Sequence, residues 1–99
     1  MEKTIHSLLV IGLGKVGSLV AILLHENGYA VTGLTREVSG DVPFKLILAD
    51  SSDMELLKRS IGEYDAVVSC LPYHLNLNIA VAAHAAGKHY FDLTEDVLT

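Results

Sequence analysis

A glycine-rich segment that directly follows a buried-strand pattern is the feature that most constrains the fold of this chain. Residues 8–11 form a continuous apolar run, which is typical of a parallel strand buried on both faces, and Gly12 begins a Gly-x-Gly-x-x-Gly motif. Apolar residues then recur at helical spacing until a stop at Asn27-Gly28. The predicted elements, which make a β-α-β unit within residues 5–36, are a strand over 7–11, a helix over 15–26 and a strand over 30–34.

The rest of the chain continues the alternation of strands and helices. Ser52 and Glu55, three residues apart, form a capping-box pattern, and Gly62 and Gly87 follow the two later helical patterns as stops. The predicted elements are strands over 45–48, 66–69 and 89–92 and helices over 53–60 and 75–86. Because strands alternate with helices and no hairpin signal is present, the chain predicts a Rossmann-type α/β fold, with a parallel sheet in the order 3-2-1-4-5.

The glycine motif has a specific chemical use when it joins a strand to a helix. Gly12 permits the tight turn, Gly14 lets the backbone approach a phosphate, and Gly17 lets the helix pack closely. The motif therefore predicts a loop that binds the pyrophosphate of a dinucleotide, with Lys15 and Val16 in the first helical turn beside it. Lys15 either adds a positive charge near the phosphate or is simply solvated.

The residues that end the second strand bear on which dinucleotide is bound. NAD-selective folds place an Asp or Glu there, which accepts hydrogen bonds from the adenosine ribose. This chain has Thr35 and Arg36 instead, so no carboxylate repels a 2′-phosphate and a guanidinium is present to bind one. The pattern favours NADP. NAD remains the alternative, with Arg36 stacked on adenine or solvated and Glu37 serving the ribose.

Further candidates follow strands three and four, at the sheet edge where open α/β folds bind ligands. Asp50 and Ser51 come just after strand three, where Asp50 either contacts the adenine or stabilises the turn into the next helix. Following strand four, where the nicotinamide ribose is expected, are Cys70, Leu71 and Pro72. Cys70 has no adjacent basic residue to activate its thiol, and we interpret it as a packing residue.

Two later segments carry a more specific signal than the glycine motif. Residues 65–73 end in Leu-Pro-Tyr, and residues 86–94 contain Lys-His-Tyr-Phe-Asp. Together with residues 10–17, they resemble the saccharopine dehydrogenase family, and the resemblance covers essentially the whole chain. It implies an oxidoreductase that acts on C–N bonds of an amino-acid-derived substrate, with a nicotinamide cofactor in this domain.

The resemblance also implies roles for individual residues. In the family, the Pro-Tyr pair after strand four and the hydroxyl-bearing segment after strand five face the nicotinamide and the substrate, which corresponds to Pro72, Tyr73 and Thr94. Many relatives have another residue at the Tyr73 position. At the end of strand two, relatives often carry an Asp-Arg pair where this chain has Thr35-Arg36, and the difference supports the preference for NADP.

The family mostly holds its substrate in a following domain, and a full dinucleotide fold has a sixth strand. We therefore expect residues 1–99 to be one dinucleotide-binding domain, the N-terminal part of a longer enzyme, inactive when isolated. The catalytic acid or base is not identifiable in this chain.

Composition excludes several other classes of function. Twelve acidic residues against seven Lys and Arg leave no general basic surface for nucleic acid or membrane lipid. Cys70 is the only cysteine, and the spacing of His74, His84 and His89 matches no common metal motif. No apolar run is long enough to cross a bilayer. We expect a cytoplasmic protein without a metal, whose partners are a dinucleotide and a small-molecule substrate, and the sequence leaves a homo-oligomer open.

Two other kinds of protein share part of this pattern. Nucleotide-sensing regulatory domains of potassium transporters have a glycine loop and an acidic turn like residues 48–53, but they usually keep an acidic residue at the end of strand two. Short-chain reductases and epimerases are similar at residues 33–36, but they need a Tyr-x-x-x-Lys pair, and no tyrosine here has a lysine at that spacing. The dehydrogenase is the first hypothesis and the regulatory domain its alternative.

Overall fold

The structure, a computed structural model, describes residues 5–36, 41–50, 52–71 and 73–93, and for Tyr73 and His74 it describes the backbone alone. Within these ranges the elements are, in chain order, β1 (Ser7–Ile11), α1 (Lys15–Glu26), β2 (Ala30–Thr35), β3 (Lys45–Leu48), α2 (Met54–Ile61), β4 (Ala66–Ser69), α3 (Tyr73–Ala85) and β5 (His89–Asp92). None of the helices in these ranges is long and apolar enough to cross a membrane.

The strands form one parallel sheet in the order β3-β2-β1-β4-β5, which confirms the predicted Rossmann-type topology. The central strand is β1, whose Leu9 pairs with Thr32 of β2 on one side and with Val67 of β4 on the other. The strand order reverses between β1 and β4. In open α/β sheets, the crevice at the carboxyl ends of two such strands is where ligands bind.

The apolar run of β1 is continuous because both faces of the sheet are covered. Leu9 and Ile11 belong to one buried cluster, whereas Leu8 and Val10 belong to the other. Helices α2 and α3 add Leu57, Ile61 and Ile79 to the first cluster, and α1 adds Ala21 to the second. Successive residues of β1 therefore point to opposite apolar layers, as expected for a central parallel strand.

The predicted boundaries of β1, α1, β3, β4 and β5 are confirmed, and β2 continues one residue further than predicted, to Thr35. The observed bounds of α2 and α3 differ from the predicted 53–60 and 75–86 by one or two residues. Shifts of this size are usual at helix ends, where the last turns fray.

The capping box predicted for α2 is wrong. The N-cap is Asp53, whose carboxylate accepts a hydrogen bond from the Leu56 N–H at 3.2 Å. Ser52 lies in the preceding turn, where its N–H donates to Asp50 Oδ1 at 2.8 Å. The Asp53 N–H also donates to the Asp50 carbonyl at 3.0 Å, so this turn moves the helix start one residue beyond the predicted position.

Candidate functional site

The strands end at one edge of the sheet, where hydrogen bonds beyond the strands tie the loops together. Four backbone bonds of 2.8–2.9 Å continue the ladders among the described residues: Gly12 N–H to Leu34 O, Ala49 N–H to Thr35 O, Cys70 N–H to Ile11 O and Leu93 N–H to Ser69 O. The residues that follow the strands are thus held in register with the sheet. This row is here called the carboxyl edge, and it brings together those predicted site residues after β1, β2, β3 and β4 that the structure describes.

Gly12 and Gly17 allow the start of α1 to lie against the ends of β1 and β4. The φ angle of Gly12 is +90°, which side chains rarely adopt, and a Cβ there would lie 2.9 Å from Leu71 Cδ2 and 3.2 Å from the Cys70 carbonyl oxygen. A Cβ on Gly17 would collide with the carbonyl oxygen of Gly12. A side chain at position 12 would therefore push the glycine loop away from the loop after β4, and one at position 17 would push α1 away from the glycine loop.

The N-terminus of α1 is open to an anion. Its N-cap is Gly14, an exposed residue in extended conformation that has no side chain to cap the helix, and the first turn contains no acidic residue. Lys15 and Val16 follow with exposed side chains. Because the helix dipole gives this end a partial positive charge, a negatively charged group would be stabilised here.

Leu13 attaches the glycine loop to β2. Its carbonyl oxygen accepts a hydrogen bond from Ser18 Oγ at 3.1 Å, and its half-buried side chain packs over Gly33 and close to Phe44. No motif in the sequence predicts this contact, because no local pattern connects residues so far apart in the chain. The available signal was Gly33 itself, since a glycine inside an apolar strand often marks a close approach.

The ends of β2 and β3 place Arg36 near Asp50. Arg36 is exposed and follows the half-buried Thr35. Hydrogen bonds from Ser52, and in addition the positive charge of Arg36, hold the pKa of the Asp50 carboxyl below its usual value. Asp50 thus stabilises the turn into α2, which is one of its two predicted roles, and its contact with adenine stays a prediction.

The loop after β4 completes the carboxyl edge. Cys70 is buried and lies next to Gly17. The distance from its Cβ to the position that a Cβ on Gly17 would occupy is 3.3 Å. The side chain of Leu71 lies closer still to Gly12, at 2.9 Å from where a Cβ on that glycine would be. Cys70 therefore packs beneath the start of α1. Several predicted positions lie outside the described residues, namely Glu37, Ser51, Pro72 and Thr94, and only the backbone of Tyr73 is described, as the first residue of α3.

A hydrogen-bonded group that no sequence motif predicts lies below this loop. The fully buried Ser69 donates from Oγ to Asn76 Oδ1 at 2.6 Å, and the Tyr90 hydroxyl donates to the Asn76 carbonyl at 3.3 Å. Burial raises the pKa of Tyr90, although a hydrogen bond with Ser69 acts in the opposite direction. The group joins β4, α3 and β5. Its sequence signal was a serine within an apolar strand.

A pocket between α3 and β5 lies away from the glycine loop. It has a volume of about 530 Å³ and is lined by Ala80, Val81, His84, Ala85, Lys88 and Tyr90. None of these residues belongs to the glycine loop or directly follows a strand, so the pocket is separate from the carboxyl edge. In the part of the chain that the structure describes, no three His, Cys, Asp or Glu side chains are placed to hold a metal ion.

Comparison with known protein families matches residues 8–97 to the saccharopine dehydrogenase NADP binding domain. The chain belongs to this family. The resemblance carried by its three sequence segments is thereby confirmed, and the Rossmann-type sheet with its glycine loop is the nucleotide-binding domain of a saccharopine dehydrogenase family member. No curated protein matches the chain.

Solved structures show the same fold in longer proteins. Apo saccharopine dehydrogenase (L-Glu forming) from Saccharomyces cerevisiae aligns with a TM-score of 0.77 and 22% identity over 95% of this chain and 22% of that chain. The Kef C-terminal domain of Shewanella denitrificans in its AMP-bound form aligns with a TM-score of 0.68 and 22% identity over 90% of this chain and 58% of that chain. The Bordetella bronchiseptica enzyme WbmH in complex with NAD+ aligns with a TM-score of 0.69 and 25% identity over 85% of this chain and 37% of that chain. The chain thus spans about a fifth of the length of the yeast enzyme.

Proposed function

We propose that this domain binds NADP for a saccharopine dehydrogenase-like oxidoreductase that acts on C–N bonds of an amino-acid-derived substrate. The observation that carries the proposal is the close contact between Gly17 and Gly12. A side chain at position 17 would prevent this contact, which places the uncapped N-terminus of α1 beside the carboxyl edge. This arrangement suits a pyrophosphate, because the N–H groups and the dipole of a helix N-terminus bind anions.

In this proposal the glycine loop holds the middle of the dinucleotide. The backbone at Gly12 and Gly14 lies against the pyrophosphate, where the absence of side chains permits close approach. Lys15 and Val16 contribute the first helical turn, with the ammonium group of Lys15 adding a positive charge. Gly17 keeps this turn close enough to the loop for both to act on the same phosphates.

Thr35 and Arg36 select between the two dinucleotides in this proposal. The guanidinium of Arg36 binds the 2′-phosphate of NADP, and Thr35 leaves the end of β2 without a carboxylate that would repel it. We assign Asp50 and Ser51 to the adenine. Since Asp50 is already paired with the Ser52 N–H, its negative charge is partly satisfied within the turn.

At the opposite end of the cofactor, we assign Cys70, Leu71 and Pro72 to the nicotinamide ribose, and Tyr73 and Thr94 to the substrate side. The bound nicotinamide supplies or accepts a hydride. The residues of this chain bind and orient the cofactor. A further region of the protein holds the substrate, and no residue of this domain need act as the acid or base.

Titration with NADPH and NADH tests this proposal. The chain contains no tryptophan, so nicotinamide fluorescence is measured without a tryptophan background. We expect NADPH to bind more tightly than NADH, with no substrate turnover by the domain alone. Equal affinities, or tighter binding of NADH, would contradict the role of Thr35 and Arg36. Failure to bind either dinucleotide would contradict the function itself.

A nucleotide-sensing regulatory domain is the second candidate. The likeness to the AMP-bound Kef C-terminal domain covers 90% of this chain, although at 22% identity it shows the fold alone. Competition by AMP against bound NADPH separates the two candidates. If AMP binds as tightly as NADPH, the 2′-phosphate and the nicotinamide contribute nothing to the affinity. The regulatory domain then becomes the better explanation.

A further inference from the structure

We propose that Gly33, in the middle of β2, is a positioning residue for the bound dinucleotide. Because Gly33 has no side chain, Leu13 rests directly on β2, and its position determines the height of the glycine loop above the sheet. The inference rests on the proposed function, since the pyrophosphate is the group that this loop is proposed to hold. It assigns to a strand residue, remote from the glycine motif in sequence, a part in cofactor binding.

The space above Gly33 is filled from two sides. A Cβ at this position would lie 2.6 Å from Leu13 Cδ1, 3.3 Å from Leu13 Cδ2 and 3.0 Å from Phe44 Cε1. The first of these distances is shorter than any real contact of a Cβ, so Leu13 would have to move. The positive-φ glycines among the described residues are Gly12, Gly28 and Gly87, and Gly33 is not one of them. Glycine is therefore required at position 33 for space and not for backbone conformation.

The backbone of Leu13 is tied into the glycine loop. Its carbonyl oxygen is bonded to Ser18 Oγ at 3.1 Å, and the N–H of the preceding Gly12 donates to Leu34 O at 2.9 Å. The next residue, Gly14, is the N-cap of α1. A shift of the Leu13 backbone would thus move both glycines of the proposed pyrophosphate site, whereas a rotation of its side chain alone would leave them in place.

The close contact of a Cβ on Gly33 with Phe44 could be relieved only by a shift of the Phe44 ring, and the packing of that ring restricts such a shift. Phe44 is buried, with 8% of its surface exposed, and belongs to the cluster against which Leu13 packs. Its ring also lies near that of His25 of α1, with the ring centroids 6.5 Å apart. A methyl group on Gly33 would therefore displace the packed ring of Phe44 or the side chain of Leu13, and Leu13, which makes the shorter contact, is the first to move.

The test is Gly33→Ala, measured by the affinities for NADPH and NADH and by thermal unfolding. We expect both affinities to fall by the same factor, about tenfold, because the pyrophosphate is common to both ligands while Arg36 keeps its place. The matched control is Gly62→Ala. A Cβ there would make only ordinary contacts, 3.6 Å from the Arg59 oxygen and 3.7 Å from that of Lys58, so we expect unchanged binding.

Removal of the obstructing side chain gives the second arm of the test. In Leu13→Ala/Gly33→Ala, the new methyl group has room, and we expect binding within about threefold of Leu13→Ala alone. This comparison applies even if Gly33→Ala alone does not fold. The inference is overturned if Gly33→Ala binds both dinucleotides like the wild type or changes the ratio of the two affinities. It is also overturned if Leu13→Ala/Gly33→Ala binds much more weakly than Leu13→Ala alone. A wild type that binds neither dinucleotide overturns the proposed function and this role together.

Discussion

Arg36 and Asp50 bring opposite charges together where β2 and β3 end. Both side chains are exposed, so their mutual attraction is screened by solvent and contributes little to stability. The guanidinium therefore remains accessible to a ligand. A 2′-phosphate carries up to two negative charges and three acceptor oxygens, and it competes well with a single carboxylate that already accepts a hydrogen bond from Ser52.

Replacement of this guanidinium, in Arg36→Met, should weaken NADPH binding while leaving NADH binding nearly unchanged. A hydrogen bond to a charged group contributes about 1.5–3 kcal/mol, so we expect a loss of roughly 10- to 100-fold for NADPH. The control is Arg59→Met, which removes an exposed arginine from α2. Titration of both variants with NADPH and NADH tests this prediction. An equal loss of affinity for the two dinucleotides would show that Arg36 binds a part of the cofactor that both share.

Tyr90 should make the stability of the domain sensitive to alkaline pH. Burial raises its pKa above the usual 10.0, so the folded state favours the neutral phenol. This contribution is complete below about pH 10 and is lost as the pH rises through the higher pKa of the folded state. Urea unfolding between pH 8 and pH 11 should therefore show a smaller alkaline loss for Tyr90→Phe than for the wild type.

The exposed Tyr29 provides the control for that measurement, since 36% of its surface is accessible. We expect Tyr29→Phe to keep the alkaline loss of the wild type. If Tyr90→Phe loses stability with pH as steeply as Tyr29→Phe does, then Tyr90 is not the group responsible.

At the scale of the elements, β4, α3 and β5 are joined by Ser69, Asn76 and Tyr90. Ser69→Ala would leave the buried Asn76 Oδ1 without its partner, and an unsatisfied buried polar group costs about 1–3 kcal/mol. We therefore expect this variant to unfold at lower urea concentration. Ser69→Ala/Asn76→Leu removes both partners and should lose less than the sum of the two single losses. Additive losses would show that the pair is not coupled.

The elements themselves were largely predictable, and the contacts between them were not. The apolar run of β1 and the Asn27-Gly28 stop of α1 are local signals, and both boundaries are confirmed. The start of α2 was predicted one residue early, because Ser52 and Asp53 are both good caps and the choice depends on a hydrogen bond to Asp50. The packing of Leu13 on Gly33 depends on the pairing of β1 with β2, which local periodicity does not specify.

For the whole molecule, the proposed site exists only when the sheet is formed. The loops that follow β1, β2, β3 and β4 are separated in sequence and are brought into one row by hydrogen bonds that cross between strands. An unfolded chain cannot present this row. A dinucleotide that binds at the carboxyl edge must therefore bind the folded state alone, and by linkage it must stabilise that state.

Thermal unfolding with added NADPH measures this coupling. At a free concentration of 100 times Kd, the stabilisation is about 2.7 kcal/mol. For a domain of 99 residues, each kcal/mol raises Tm by roughly 4–8 °C, so the transition should move up by about 10–20 °C. Adenosine at the same concentration lacks the pyrophosphate and should leave Tm nearly unchanged. An equal shift with adenosine would place the binding energy on the adenine side and remove the glycine loop from its proposed role, because that loop acts only on the phosphates.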